Sequence, residues 1–297
     1  MRMLAQAFNT NKFLVFTRQK IASSYLTKHY QYMYNLTQID KRFKQLPWLN
    51  LNPIDFGTDF GTSFEYPNPT KVIDNVTIPL LNDCKVTWSE FINKSSKKDL
   101  ILLIRNPINR FISAFNQDCI SHLLHDKTET NYIILSNILI GKIHNSDYIK
   151  FQNTFFIKVS NLDWLYNSSG LNKDIAKAII SYAIESFQIA NLSIETIHNE
   201  YYLYKYYYLI SLNIVDNSKI KIIDIDVINI ASYLNQYDVY NFPTSYENKS
   251  KDWGVLIKNE FSTNHSDYFT RILTDLQHEL FHYNILKNLP NFINNKT

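Results

Sequence analysis

Glycine is scarce in this chain, with five residues in 297. None precedes Lys20 in the turn after the first candidate strand, so the Gly-x-x-x-x-Gly-Lys-Ser/Thr loop of nucleotide kinases is not written there. Cysteine is scarcer still. Cys84 and Cys119 form no CxxC or histidine-linked pattern, which argues against a disulfide framework and a zinc site; no metal is expected. No apolar run approaches a membrane span, and the N-terminus lacks the apolar core of a signal peptide. A soluble, cytoplasmic protein is the expectation. The N-x-S/T triplets at Asn35, Asn75 and Asn191 then read as accidents of composition. Excess charge is also missing. A formal net charge of +3 argues against a nucleic-acid coat but leaves room for a local anion site.

What is present is apolar: 45% of residues, enough for a sizeable core. The most informative stretch is Lys98 to Phe115, KDLILLIRNPINRFISAF. Leu100 to Ile104 is too short for a helix and bounded by charge, so it reads as a buried parallel strand. Asn106 then offers an N-cap and Pro107 a first helical position. Ile108, Phe111, Ile112, Phe115 and Cys119 recur at helical spacing. Arg105 thus stands at the carboxyl end of a strand, where open α/β sheets bind ligands. With Ser113 on the following helix, its guanidinium suits a phosphate dianion. A strand-end arginine also serves to neutralise a neighbouring acid, and the two readings stand side by side.

Lys12 to Thr17, KFLVFT, is the first strand candidate, and it runs into RQKIASSYL. Strand, basic turn, helix places free backbone N–H groups and a positive dipole end at the strand exit. Arg18 and Lys20 add charge, Ala22 keeps the turn narrow, and Ser23 and Ser24 offer hydroxyls.

Lys20-Ile21-Ala22-Ser23-Ser24-Tyr25-Leu26 resembles the 5′-phosphosulfate loop of sulfotransferases, with alanine where that superfamily usually has glycine, as in its chondroitin and dermatan branch. Arg105-Asn106-Pro107-x-x-Arg110-x-x-Ser113-Ala114-Phe115 is similar to that branch's 3′-phosphate motif. The resemblance covers about the first 120 residues and rests on two motifs in order. It implies one α/β domain over 1–297, a parallel sheet flanked by helices of the P-loop-like sulfotransferase class, with cofactor motifs in 12–120 and a helical packing region over 255–290. It implies 3′-phosphoadenosine 5′-phosphosulfate (PAPS) as donor, held by Arg18, Lys20, Ala22, Ser23, Ser24, Tyr25, Arg105 and Ser113. Lys20 would be catalytic, and Lys249 would close over the nucleotide from a late basic loop. The acceptor would be a hydroxyl, on a carbohydrate by the motif resemblance. Relatives in that branch are anchored in the Golgi; without an anchor here, a bacterial or viral origin fits better.

The remainder carries weaker signals. Asp40 to Ser95 holds Pro47, Pro53, Pro67 and Pro69 and reads as a loop-rich excursion whose aromatics, Trp48 and Phe56 among them, line an acceptor cleft or pin the loop to the core. His122 and His125 stand near one helical turn apart with no third ligand nearby, which favours a solvated helix end over a metal pair. Helices are expected over Tyr132 to Ile143, Asn172 to Ala190 and Tyr268 to Leu286, and a strand-like run over Thr154 to Val159. His198, ahead of an aromatic helix, reads first as a satisfied surface histidine and second as the general base, with Asp83 and Glu65 as alternatives for that role. Lys219 to Asp226 is a buried strand with an acidic end. That end also looks like the strand delivering a magnesium-binding aspartate in P-loop kinases, the rival reading. A binding protein without catalysis is the other.

Overall fold

The computed structural model describes residues 6–9, 13–17, 21–22, 48–50, 70–73, 76–79, 99–126, 128–142, 145–154, 173–191, 194, 202–211, 213, 216–236 and 251–294. Its strands are β1 (Gln6–Asn9), β2 (Phe13–Thr17), β3 (Trp48–Asn50), β4 (Thr70–Ile73), β5 (Val76–Pro79), β6 (Asp99–Ile104) and β7 (Ile220–Asp224). Its helices are α1 (Pro107–Phe115), α2 (His122–His125), α3 (Glu129–Leu139), α4 (Asn145–Thr154), α5 (Lys173–Ile189), α6 (Leu203–Ser211), α7 (Ile230–Asn235), α8 (Lys251–Asn264), α9 (Ser266–Asp275) and α10 (Gln277–Lys287). A π-helical stretch, Asn116–Ser121, joins α1 to α2. The class is mixed α/β. No helix among the described residues is long and apolar enough to cross a membrane.

The chain forms two compact units. The first comprises Met1–Pro107, Tyr201–Glu247 and Gln277–Thr297; the second, Ile108–Glu200 and Asn248–Leu276.

The first unit holds a five-stranded sheet in the order β3-β1-β2-β6-β7. β2 lies parallel to β6, Phe13 opposite Asp99 and Phe16 opposite Leu102, and β6 lies parallel to β7, Leu100 opposite Ile220 and Ile104 opposite Asp224. Leu100 to Ile104 are at most 2% exposed, as expected of a parallel strand covered on both faces. β1 departs from the all-parallel expectation: it runs antiparallel to both β2 and β3. Three residues separate β1 from β2; a parallel crossover needs about a dozen. The edge of β7 is covered by residues 291–293, since Ile222 N–H donates to Asn291 O (2.9 Å) and Ile293 N–H to Ile222 O (3.0 Å). Tyr202, Leu203 and Tyr206 from α6 and its approach, Leu234 from α7, and Tyr283 and Leu286 from α10 share one buried cluster with β6 and β7.

Two expectations need correction here. The stretch from Asp40 to Ser95 is not only loop: it contains β3 and a separate antiparallel pair, β4 with β5, Thr70 opposite Pro79. The helix expected over Tyr268 to Leu286 is two helices that meet at Leu276. Tyr268, Phe269 and Ile272 are buried in α9 of the second unit, whereas Glu279, Tyr283 and Leu286 are buried in α10 of the first.

The second unit is helical. Phe115 meets Phe187 edge-on (centroids 5.7 Å apart) and Phe261 at 5.2 Å, and Phe261 stacks on Phe269 at 5.4 Å. On α5, Ile175, Ile179 and Phe187 face inward as their spacing predicts. Thr128 caps α3 by accepting from Asn131 N–H (3.1 Å), and past Ile140 that helix meets Gly141 in the left-handed region at φ +72°. The polar loop expected over Tyr246 to Gly254 gives way from Lys251 to α8. Cys119 is partly buried; burial, and then the neighbouring Asp118, push its thiol up to about 12.

Candidate functional site

β2, β6 and β7 are parallel, so their carboxyl ends share one edge of the sheet. This is the edge where open α/β sheets bind ligands. β2 exits toward the turn that contains Ile21, fully buried, and Ala22, half-buried with φ +57°. That left-handed conformation explains why glycine suits this turn position. Arg18, Lys20, Ser23, Ser24 and Tyr25 lie outside the described residues, as do His198, Lys249, Asp83 and Glu65.

β6 exits into Arg105 and Asn106, with α1 starting at Pro107 as the sequence predicts. Asp226, two residues past β7, binds both: its Oδ1 accepts from Arg105 Nε at 3.0 Å and its Oδ2 from Asn106 N–H at 3.1 Å. The Arg105 and Asp226 side chains are 17% and 21% exposed, so the pair is largely withdrawn from water. Arg105 thus neutralises a neighbouring acid, the alternative to a phosphate open to a strand-end arginine. Arg105 N–H also donates to the Tyr202 hydroxyl (3.3 Å), and Ile225 N–H donates to Ile104 O (3.0 Å), tying the two strand exits together.

Beneath this pair sits Asp224, fully buried. One carboxylate oxygen accepts from Asp226 N–H (3.0 Å), the other from the Tyr283 phenol (2.5 Å), with Lys287 Nζ at 3.9 Å. Burial raises the Asp224 carboxyl above its ordinary range, opposed by the hydrogen bonds from Tyr283 and Asp226. Burial and the hydrogen bond to Asp224 also raise the Tyr283 phenol, which keeps its proton and keeps donating. The buried Glu279 caps α6, accepting at Oε1 from Tyr202 N–H (2.9 Å) and Leu203 N–H (3.1 Å). A carboxylate thereby anchors the helix start that carries Tyr202.

Sequence reasoning found Arg105 and marked Asp224 and Asp226 as an acidic strand end. It missed Tyr202, Tyr283, Lys287 and Glu279, which reach the edge from α10 and from the approach to α6. Ser113 is half-buried on α1 in the second unit. His122 is exposed, its Nδ1 2.8 Å from Asp126 Oδ2. Among the described residues no group of three or more His, Cys, Asp or Glu side chains is arranged to hold a metal ion. Comparison with protein-family models, with curated proteins and with solved structures finds no match.

Proposed function

We propose that this chain is a PAPS-dependent sulfotransferase of the P-loop-like class, acting on the hydroxyl of a carbohydrate acceptor. The observation that supports the reading is the parallel pairing of β2 with β6. It brings the turn after β2 and Arg105 after β6 to one edge, as a donor phosphorylated at both ends requires. The left-handed Ala22 adds the backbone feature of anion-cradling turns. A 3′-phosphate would meet an Arg105 already fixed at Nε by Asp226, and it would compete with that carboxylate for the guanidinium. PAPS would supply the transferable sulfuryl group. Lys20 would stabilise charge on the leaving oxygen, Ser23 and Ser24 would hold the 5′-phosphate, and Ser113 is assigned to the 3′-phosphate by the resemblance alone.

The kinase reading gains less from this geometry. Asp224, its candidate magnesium ligand, is enclosed between Tyr283 and the Asp226 backbone, and Asp226 is engaged by Arg105. The test is release of the bisphosphate product from PAPS over a panel of carbohydrate acceptors. Lys20→Ala is expected to lower kcat by about 10²–10³, the loss typical of a charge-stabilising donor. Equal turnover by wild type and Lys20→Ala would contradict the assignment; nucleotide binding without turnover would point to a binding protein.

A further inference from the structure

α10 carries a pair of histidines one helical turn apart, His278 and His282, within His278-Glu279-Leu280-Phe281-His282. This is the i, i+4 spacing at which a helix presents two imidazoles on one face to a transition-metal ion. Their ring centroids lie 4.4 Å apart at an interplanar angle of 61°.

We infer that His278 and His282 form a two-histidine site for a borderline divalent cation such as Zn²⁺, with water or an added ligand completing the coordination.

A hydrogen bond supports this assignment. His282 Nδ1 lies 2.9 Å from the carbonyl oxygen of His278. A carbonyl only accepts, so Nδ1 is the donor here and Nε2 is the nitrogen left to ligate a metal. Ligating histidines are oriented in this way, through the other nitrogen bound to a backbone carbonyl. His282 is buried and His278 exposed, which leaves the pair open to solvent on one side. The rings of Tyr204 and Tyr207 flank it, Tyr204 at 5.9 Å from His278 and Tyr207 at 5.7 Å from His282.

The spacing is also that of zinc peptidases, whose intervening glutamate activates water. Here Glu279 is turned away into the N-terminus of α6, where it accepts from Tyr202 and Leu203. The site therefore binds a metal and does not hydrolyse peptides by that route. It is separate from the proposed donor chemistry, which uses none of these residues.

The test is calorimetric titration of Zn²⁺, then Ni²⁺, into the full chain, its His278→Ala variant and a His122→Ala control, with thermal melts of each. Because His278 is exposed, His278→Ala is expected to melt like wild type without metal. Wild type and His122→Ala are expected to take up one ion saturably and to melt higher with it. His278→Ala is expected to bind at least about tenfold more weakly, since loss of even an outer-shell group costs that much. Identical titrations of wild type and His278→Ala, or no saturable uptake by wild type, would overturn the site.

Discussion

Asp224 is a buried carboxylate held by one phenol, one backbone N–H and a lysine at 3.9 Å. Removing the phenol leaves it short of a donor, so Tyr283→Phe is expected to cost about 1–3 kcal/mol in urea unfolding; an unchanged midpoint would show the contact contributes nothing. The same carboxyl sets a pH signature. Its pKa is raised on folding above the ordinary 3.8, so the folded chain holds its proton more tightly than the unfolded one. Its contribution to stability is full below 3.8 and is lost as pH rises through the folded value. The stability of wild type relative to Asp224→Asn should therefore fall as pH rises from 3.8; a relative gain would contradict the burial argument. Cys119, pushed up to about 12, should be a poor nucleophile. In a Cys84→Ser background it should alkylate slowly at pH 8 until denaturant is added.

Elements were legible where a short pattern met a strong terminator. Leu100 to Ile104 followed by Asn106-Pro107 gave β6 and the start of α1, and Lys219 to Asp226 bracketed β7. The β4–β5 pair was missed, although two residues, Asp74 and Asn75, separate Thr70–Ile73 from Val76–Pro79 at a hairpin spacing, because the prolines around it made the stretch read as loop. The break at Leu276 was not readable, because the apolar period continues through it while the packing partner changes. At the candidate site, Arg105 and its acids stood out by charge at strand ends. Tyr202, Tyr283 and Glu279 did not, because only the packing of α6 and α10 on the sheet brings them there. The turn after β2 carries its own test. Ala22 at φ +57° holds a conformation that costs an L-residue roughly 1–2 kcal/mol. Ala22→Gly should be neutral or slightly stabilising in thermal melts, whereas Ala22→Val, β-branched at the same φ, should destabilise clearly. A stabilising valine would mean the turn is not left-handed.

At the scale of the whole molecule, the first unit gathers three separate chain segments, and Arg105, Asp224 and Asp226 stand at the carboxyl ends of its strands β6 and β7. Their arrangement, two acids with Arg105 and Lys287, is what the functional account has to use. The central claim is that this edge binds a bisphosphorylated nucleotide through Arg105. The most direct measurement is calorimetric titration of adenosine 3′,5′-bisphosphate into wild type and Arg105→Ala without magnesium, with ATP as comparator. The account predicts binding that exceeds that of ATP and is lost in Arg105→Ala. No binding, binding indifferent to Arg105, or ATP binding that requires magnesium would contradict it.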